Sequence, residues 1–173
     1  MTVNKWWHDR PEERYWMIAP SRGVVGDALR APKASPDRRF EWSHELVGCT
    51  EPGDTLFVWD RTLPVPGIAA WGRVLGPLGE ETTARHGEEL PHWRMPVSDT
   101  LRLASPITLT ALRRIGSDIV AIRDSIEALT DGPVYFPFIG SADTLVPAPA
   151  YVTKVPRDLV ALLSSRFGFE FAL

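Results

Sequence analysis

Sixteen prolines distributed along the 173-residue chain constrain its fold more than any other feature. Proline fixes φ and lacks a backbone N–H, so it ends or kinks helices and is confined to the edges of sheets. We therefore do not expect an all-helical bundle. The length suits one domain that buries a full core without disulfides or metals. We expect a single domain over residues 1–173, with its core at about 14–167.

Strand signals dominate the first hundred residues, and helical periodicity begins only after residue 105. Apolar or alternating runs predict strands at 14–19, 55–60, 68–75 and 92–97. Between them we predict a loop with one helical turn at 22–39 and an acidic loop at 80–89. Helices are predicted at 108–115, from Ser117 onward, and at 155–167, where Gly168 ends the last one. This order predicts an α+β fold, a small twisted β-barrel flanked by short helices.

Charge and composition exclude several classes of function. The chain has 19 basic and 22 acidic residues, a formal net charge of −3, which argues against a uniformly basic protein that coats nucleic acid. Cys49 is the single cysteine, so internal disulfides and cysteine-rich zinc sites are excluded. No apolar run approaches the roughly 18–20 residues of a membrane span, and we expect a cytoplasmic protein with no membrane partner.

No catalytic arrangement is recognisable in the sequence. The phosphate-binding loop, the dinucleotide fingerprint and the helical motif with paired histidines are all missing from it. The four histidines are scattered, and nothing next to Cys49 marks it as a nucleophile. We therefore expect no enzyme activity, no metal and no cofactor.

The basic segment 22–39 is one candidate binding element. Two acidic residues, Asp27 and Asp37, accompany its five basic ones: Arg22, Arg30, Lys33, Arg38 and Arg39. The segment is also rich in glycine, alanine and proline. It is either a solvated loop or an arm that contacts phosphates.

For five of the seven tryptophans, core packing or a flap over the barrel accounts for the position of the residue. The other two tryptophans need a different explanation. Trp16, Trp59 and Trp71 lie inside strand-like runs, which is typical of core residues. Trp42 and Trp93 border polar residues at the ends of connecting segments, a position that suits a pocket wall. Two indole faces can sandwich a planar base, as in proteins that bind flipped or single-stranded bases.

The order of these features resembles the EVE domain of the PUA-like superfamily, which also contains the YTH readers of methylated RNA. The resemblance covers about residues 14–130. Its motifs are Tyr15-Trp16-Met17-Ile18, Trp42, Pro52-Gly53-Asp54, Pro66-Gly67-Ile68-Ala69, Gly72-Arg73-Val74 and Ser105-Pro106-Ile107-Thr108-Leu109. The tail, with Tyr135-Phe136-Pro137-Phe138 and Lys154-Val155-Pro156, is similar to EVE-like domains at the N-termini of modification-dependent restriction endonucleases.

The resemblance implies a set of binding residues. Trp42 and Trp93 match the aromatic cage, and Trp59 and Asp60 are further candidates for it. Ser43 and Ser21, or backbone groups beside them, would bind the Watson–Crick edge of the base. The phosphate contacts would come from Arg22, Arg30, Lys33, Arg38 and Arg39.

The resemblance also implies a function and partners. It predicts a module that extrudes a modified cytosine from DNA into the cage, as the recognition part of a modification-dependent restriction system. A nuclease domain following in a longer protein is the implied partner. Two alternatives stay open: a module for modified RNA, and a domain that binds a protein or small ligand without any role in nucleic acid.

Overall fold

The computed structural model of the protein describes residues 2–34, 39–85 and 88–168. Arg38, one of the predicted phosphate ligands, lies outside these residues. The strands are β1 Tyr15–Ile18, β2 Ala28–Pro32, β3 Thr55–Asp60, β4 Gly67–Arg73, β5 Gly79–Arg85, β6 Glu88–Pro96, β7 Leu101–Thr108, β8 Phe138–Ile139, β9 Val146–Pro147 and β10 Val152–Val155. The helices are α1 Trp42–Glu45, a 3-10 helix Leu46–Cys49, α2 Leu109–Arg114, α3 Gly116–Glu127 and α4 Arg157–Phe167.

A five-stranded sheet in the order β10-β1-β3-β4-β7 is the centre of the molecule. Strands β1 and β3 run parallel, with Tyr15 opposite Thr55 and Ile18 opposite Val58. Strands β10 and β4 pair with them in the antiparallel direction. The carboxyl ends of β1 and β3 therefore share one edge of the sheet with the start of β4 and of β10.

Both faces of this sheet are buried, as the nearly continuous apolar runs predict. On β3, Phe57 and Trp59 point to one core cluster, whereas Leu56 and Val58 point to the other. The first cluster is completed by α2, α3 and α4, and the second by the three-stranded sheet, α1 and the 3-10 helix. The fold thus has three layers, with helices, the large sheet and the small sheet stacked in that order.

The small sheet, in the order β2-β6-β5, corrects two predictions. Residues 27–30 belong largely to β2 and not to a helical turn, and most of the predicted acidic loop is the hairpin of β5 and β6. Among the described residues the strands form three sheets and not a closed barrel, and one bridge between Val74 and Val97 joins the two larger sheets. The α+β class is confirmed.

The signals at the start of α2 and at both ends of α4 are confirmed, whereas α3 begins at Gly116 with Ile115 as its N-cap and not with the predicted Ser117. Thr108 caps α2, its side chain accepting a hydrogen bond from the Ala111 N–H at 3.2 Å. Pro156 precedes α4, and Gly168 ends it in the left-handed region at φ 67°. These residues define the ends of α2 and α4, which cover the first core cluster.

Lys154 on β10 is completely buried in the second layer. Its ammonium donates to the Glu13 and Tyr15 carbonyls at 2.6 and 3.0 Å and lies 4.4 Å from the Trp16 ring centroid. Burial lowers the pKa of Lys154 to about 8, against the opposing pull of the Glu13 and Asp54 carboxylates. The lysine therefore ties β10 to β1 with a cation that the fold keeps out of water.

Candidate nucleic-acid interface

A cavity opens at the shared edge formed by the carboxyl ends of β1 and β3. Its volume is about 630 Å³, within the range of small-molecule sites. The wall is mostly aliphatic and aromatic, with Arg61 as its single charged side chain. The lining residues are Ala19, Trp59, Arg61, Pro66, Leu109, Pro147, Ala148, Pro149, Ala150 and Tyr151.

Backbone hydrogen bonds hold opposite walls of the cavity together. The Ala19 N–H donates to the Tyr151 carbonyl at 3.0 Å, and the Leu109 N–H donates to the Pro66 carbonyl at 2.8 Å. Burial raises the pKa of Tyr151, while a hydrogen bond with the backbone of Arg30 acts in the opposite direction. The cavity is thus formed before any ligand arrives, which reduces the entropic cost of binding.

Asp60, at the end of β3, organises the two loops beside the cavity mouth. Its Oδ1 accepts hydrogen bonds from the Thr62 N–H at 2.8 Å and the Thr62 hydroxyl at 2.6 Å. These bonds, the hydroxyl first, lower the pKa of Asp60, and the charge of Arg102 adds to them. Gly23 lies so close that a Cβ there would be 2.5 Å from the same oxygen. Asp60 therefore positions these loops, and its predicted contact with the base stays a prediction.

Three exposed arginines lie on elements next to this mouth. Arg22 follows β1, Arg61 follows β3 and Arg102 lies on β7. None of the three forms an ion pair with another described residue. Guanidinium groups without a carboxylate partner are available to phosphates.

The predicted phosphate ligands Arg30 and Lys33 are in a different situation. Arg30 on β2 pairs with Asp27 at 2.9 Å and with Glu81 of β5 at 2.8 Å. Lys33 pairs with Glu80 and lies 4.0 Å from the ring centroid of Trp93. Their charges are neutralised within the protein, which argues against the predicted role of both. Arg39 is exposed, like Arg22.

The two tryptophans of the predicted cage pack on different partners. Trp42 begins α1, and its half-buried ring lies 5.1 Å from that of Tyr135. Trp93 on β6 donates from Nε1 to Glu45 at 3.2 Å, and its ring contacts Gly48 of the 3-10 helix. Neither lines the cavity. The contacts of Trp93 hold the small sheet against the helical segment, and Trp42 packs on the segment that precedes β8.

The remaining residues predicted to bind the base lie partly near the cavity and partly beside Trp42. Trp59 lines the cavity although only 1% of it is exposed, so a small part of its ring is available there. Ser21 is exposed on the loop after β1. Ser43 is buried beside Trp42, and its hydroxyl donates to Glu41 at 3.1 Å. The structure thus brings Trp59 and Asp60 to the cavity edge and leaves Ser43 elsewhere.

Two residues that line the cavity, Arg61 and Tyr151, were not predicted from the sequence to belong to a binding site. Arg61 directly follows a predicted buried strand, and polar side chains at such strand ends commonly form binding sites. That signal was present in the sequence. Nothing in the sequence around Tyr151 indicates that its segment folds back onto the end of β1.

Two general properties of the described residues bear on other classes of function. No group of three or more histidine, cysteine, aspartate or glutamate side chains in this part of the chain is arranged to hold a metal ion. None of the helices in residues 2–34, 39–85 and 88–168 has the length and apolar character needed to cross a bilayer.

Comparison with known proteins identifies the fold. The sequence matches no protein-family model, and no curated protein matches it. Among solved structures, human THYN1 in complex with 5-methylcytosine-containing DNA superimposes with a TM-score of 0.51 over 91% of this chain and 99% of that one, at 8% identity. A Pseudomonas putida protein gives a TM-score of 0.51 at 13% identity, covering 88% of this chain and 98% of that one.

A third structure, from Rhodopseudomonas palustris, gives a TM-score of 0.50 at 13% identity, covering 91% of this chain and 96% of that chain. The chain therefore shares its α+β fold with human THYN1 and with these two bacterial proteins. At these identities the likeness establishes the fold alone.

Proposed function

We propose that the protein binds DNA that carries a modified base, and that the extruded base occupies the cavity at the ends of β1 and β3. The observation that carries the proposal is a preformed, mostly apolar cavity of about 630 Å³ with unpaired arginines around its mouth. The similarly folded THYN1 binds 5-methylcytosine-containing DNA, which supports the same class of partner here.

The chemistry of the cavity suits a base joined to a phosphate backbone. A planar base can lie against Tyr151 and the aliphatic wall, where the methyl group of a modified base also meets apolar atoms. Arg61 at the rim is then placed for the phosphate next to the extruded nucleotide. Arg22 and Arg102 extend this positive rim towards neighbouring phosphates.

Different residues form the aromatic cage in this proposal, and the cage still holds the extruded base. Tyr151 and the accessible part of Trp59 take the place of Trp42 and Trp93 as the rings beside the base. Recognition of modified DNA as part of a restriction system, with a nuclease domain as partner, remains our hypothesis for the biological setting. It rests on the resemblance to the readers of modification-dependent endonucleases.

A binding panel tests the proposal. Fluorescence anisotropy compares duplexes that differ in one base, carrying cytosine, 5-methylcytosine, 5-hydroxymethylcytosine or N6-methyladenine, with the matching RNAs. We expect preference for one modified DNA, and 2-aminopurine beside that base should brighten as the base leaves the stack. Equal affinity for every duplex would contradict the proposal, and preference for a modified RNA would favour the RNA alternative.

Two variants connect the panel to the cavity. Ala148→Leu fills it and should abolish the preference, whereas Ala161→Leu on α4 adds the same side chain at an exposed position and should not. Melting temperatures show whether both variants fold. If Ala148→Leu is unfolded, Arg61→Ala provides the test at an exposed residue. Unchanged preference in a folded Ala148→Leu would place the base elsewhere.

A further inference from the structure

Two of the exposed large apolar side chains lie on the loops that follow β1 and β3. Val24 is 62% exposed on the loop after β1, and Val65 is 43% exposed on the loop between β3 and β4. Their immediate neighbours belong to the site, because Gly23 packs on Asp60 and Pro66 lines the cavity. Exposed apolar side chains beside a binding site commonly contact the partner.

Both valines are presented by constrained backbone. Gly23 has φ +70° and donates its N–H to the Pro20 carbonyl, so it closes a turn directly before Val24. Val65 stands between Pro64 and Pro66, and a residue followed by proline is restricted to extended backbone. Asp60 contacts both loops, through Gly23 and through Thr62. The two apolar side chains are therefore held in place while exposed to water.

Charge complements this pair of loops. Arg22 precedes Gly23 and Val24, and Arg61 begins the loop that carries Val65. Each loop thus combines an unpaired guanidinium with an exposed valine. That combination fits the edge of a duplex, where phosphates lie outside and stacked apolar base faces lie inside.

We infer that Val24 and Val65 enter the space that the extruded base leaves in the duplex and stabilise the opened DNA. The inference rests on the proposed function and adds that the preferred partner is double-stranded. Extrusion unstacks and unpairs a base, and an apolar side chain in the gap offsets part of that cost. A single strand has no such gap, so the valines contribute little to its binding.

The test compares one modified base in two contexts. The probes are a DNA duplex with one 5-methylcytosine and the same modified strand alone. The variants are Val24→Ser, Val65→Ser and the double variant, with Leu129→Ser, an exposed residue after α3, as the matched control. We expect the double variant to lose about tenfold in duplex affinity, with single-strand affinity and melting temperature unchanged.

Each outcome decides the inference. Unaltered duplex affinity in the folded double variant overturns it and leaves the proposed function standing. Equal losses on duplex and single strand also overturn it, because the valines then act outside the gap. If the wild type shows no preference for any modified base of the binding panel, the proposed function fails and the inference fails with it.

Discussion

Two sets of basic side chains in this protein have opposite electrostatic surroundings. Arg30 and Arg94 on the small sheet share the carboxylates of Asp27 and Glu81, at 2.8–3.5 Å. The pKa of Asp27 falls to about 2, chiefly through its hydrogen bond with Arg30. Arg61 and Arg22, beside the cavity, have no such partners among the described residues.

The difference teaches that the local count of basic residues does not locate a phosphate site. The segment around Arg30 and Lys33 is rich in basic residues, yet Asp27 and the strand β5, which lies beyond β6 in the small sheet, supply their counterions. The three arginines near the cavity mouth, Arg22, Arg61 and Arg102, form no ion pair with another described residue. Cross-strand partners, which come from tertiary structure, decide which charges can reach DNA.

A third kind of cation, Lys154, gives the largest expected effect. The folded chain releases its proton near pH 8 and the unfolded chain near 10.5, so the unfolded state binds more protons in between. Stability should therefore rise from pH 8 to 10.5, by on the order of 3 kcal/mol for this group. Urea unfolding across that range should show this rise in the wild type relative to Lys154→Met.

The quantity to compare at each pH is the difference in unfolding free energy between the wild type and Lys154→Met. Burial raises the pKa of Cys49 and Tyr151, which lowers stability at high pH equally in both proteins. A difference that stays constant from pH 8 to 10.5 would contradict the account of Lys154.

Trp93 should matter for folding and not for base selection. Trp93→Ala removes the ring that packs on Gly48 and the hydrogen bond to Glu45, at a cost of about 2–3 kcal/mol of stability. The ratio of affinities for modified and plain DNA should be unchanged. If that ratio collapses while the variant stays folded, Trp93 belongs to the base site and the comparison of the two regions is wrong.

Arg61 and Arg30 form a matched pair for affinity. Arg61→Ala should weaken DNA binding about tenfold, because a charge-assisted phosphate contact is lost. The slope of log affinity against log salt should become shallower by about 0.9. Arg30→Ala should change affinity less than about twofold. Equal losses in the two variants would show that the ion pairs of the small sheet open on binding.

Breaking the ion pairs of Arg30 and Arg94 with Glu81 should change DNA affinity least. The change should be an increase in affinity. Glu81→Gln removes the carboxylate that Arg30 and Arg94 share, so both guanidinium groups gain freedom. We expect about twofold tighter binding of unmodified DNA and a steeper salt dependence. Glu127→Gln on α3 removes the same charge elsewhere and controls for net charge. No difference between the two variants would argue that the small sheet lies away from DNA.

Much of the fold could be predicted because local sequence patterns, such as apolar runs and capping residues, determine many of its strands and helices. The run 55–60 is a strand with the predicted bounds, and Thr108 and Gly168 mark helix ends through capping chemistry. β2 and β5 were missed because charged residues facing each other across a small sheet leave no apolar pattern. Arg30 and Glu81 are 51 residues apart, and only tertiary pairing brings them together.

The candidate site was less predictable for the same reason. Trp59 and Asp60 were identified near the end of a strand, whereas the segment with Ala148 and Tyr151 meets them only through the pairing of β10 with β1. Trp42 and Trp93 satisfied the sequence criterion of aromatics bordered by polar groups. In the structure, Glu41 beside Trp42 accepts a hydrogen bond from Ser43, and Trp93 donates one to Glu45 of α1, so both places are parts of the local structure.

The location of bound DNA is the most direct test of the central claim. Alanine methyl NMR on the 19.3 kDa protein, titrated with the preferred modified duplex, reports on both regions at once. Ala148 and Ala150 line the cavity, whereas Ala31 on β2 lies opposite Trp93. The account predicts large shifts at Ala148 and Ala150 and little change at Ala31. Shifts concentrated at Ala31, with the cavity methyls unmoved, would contradict it.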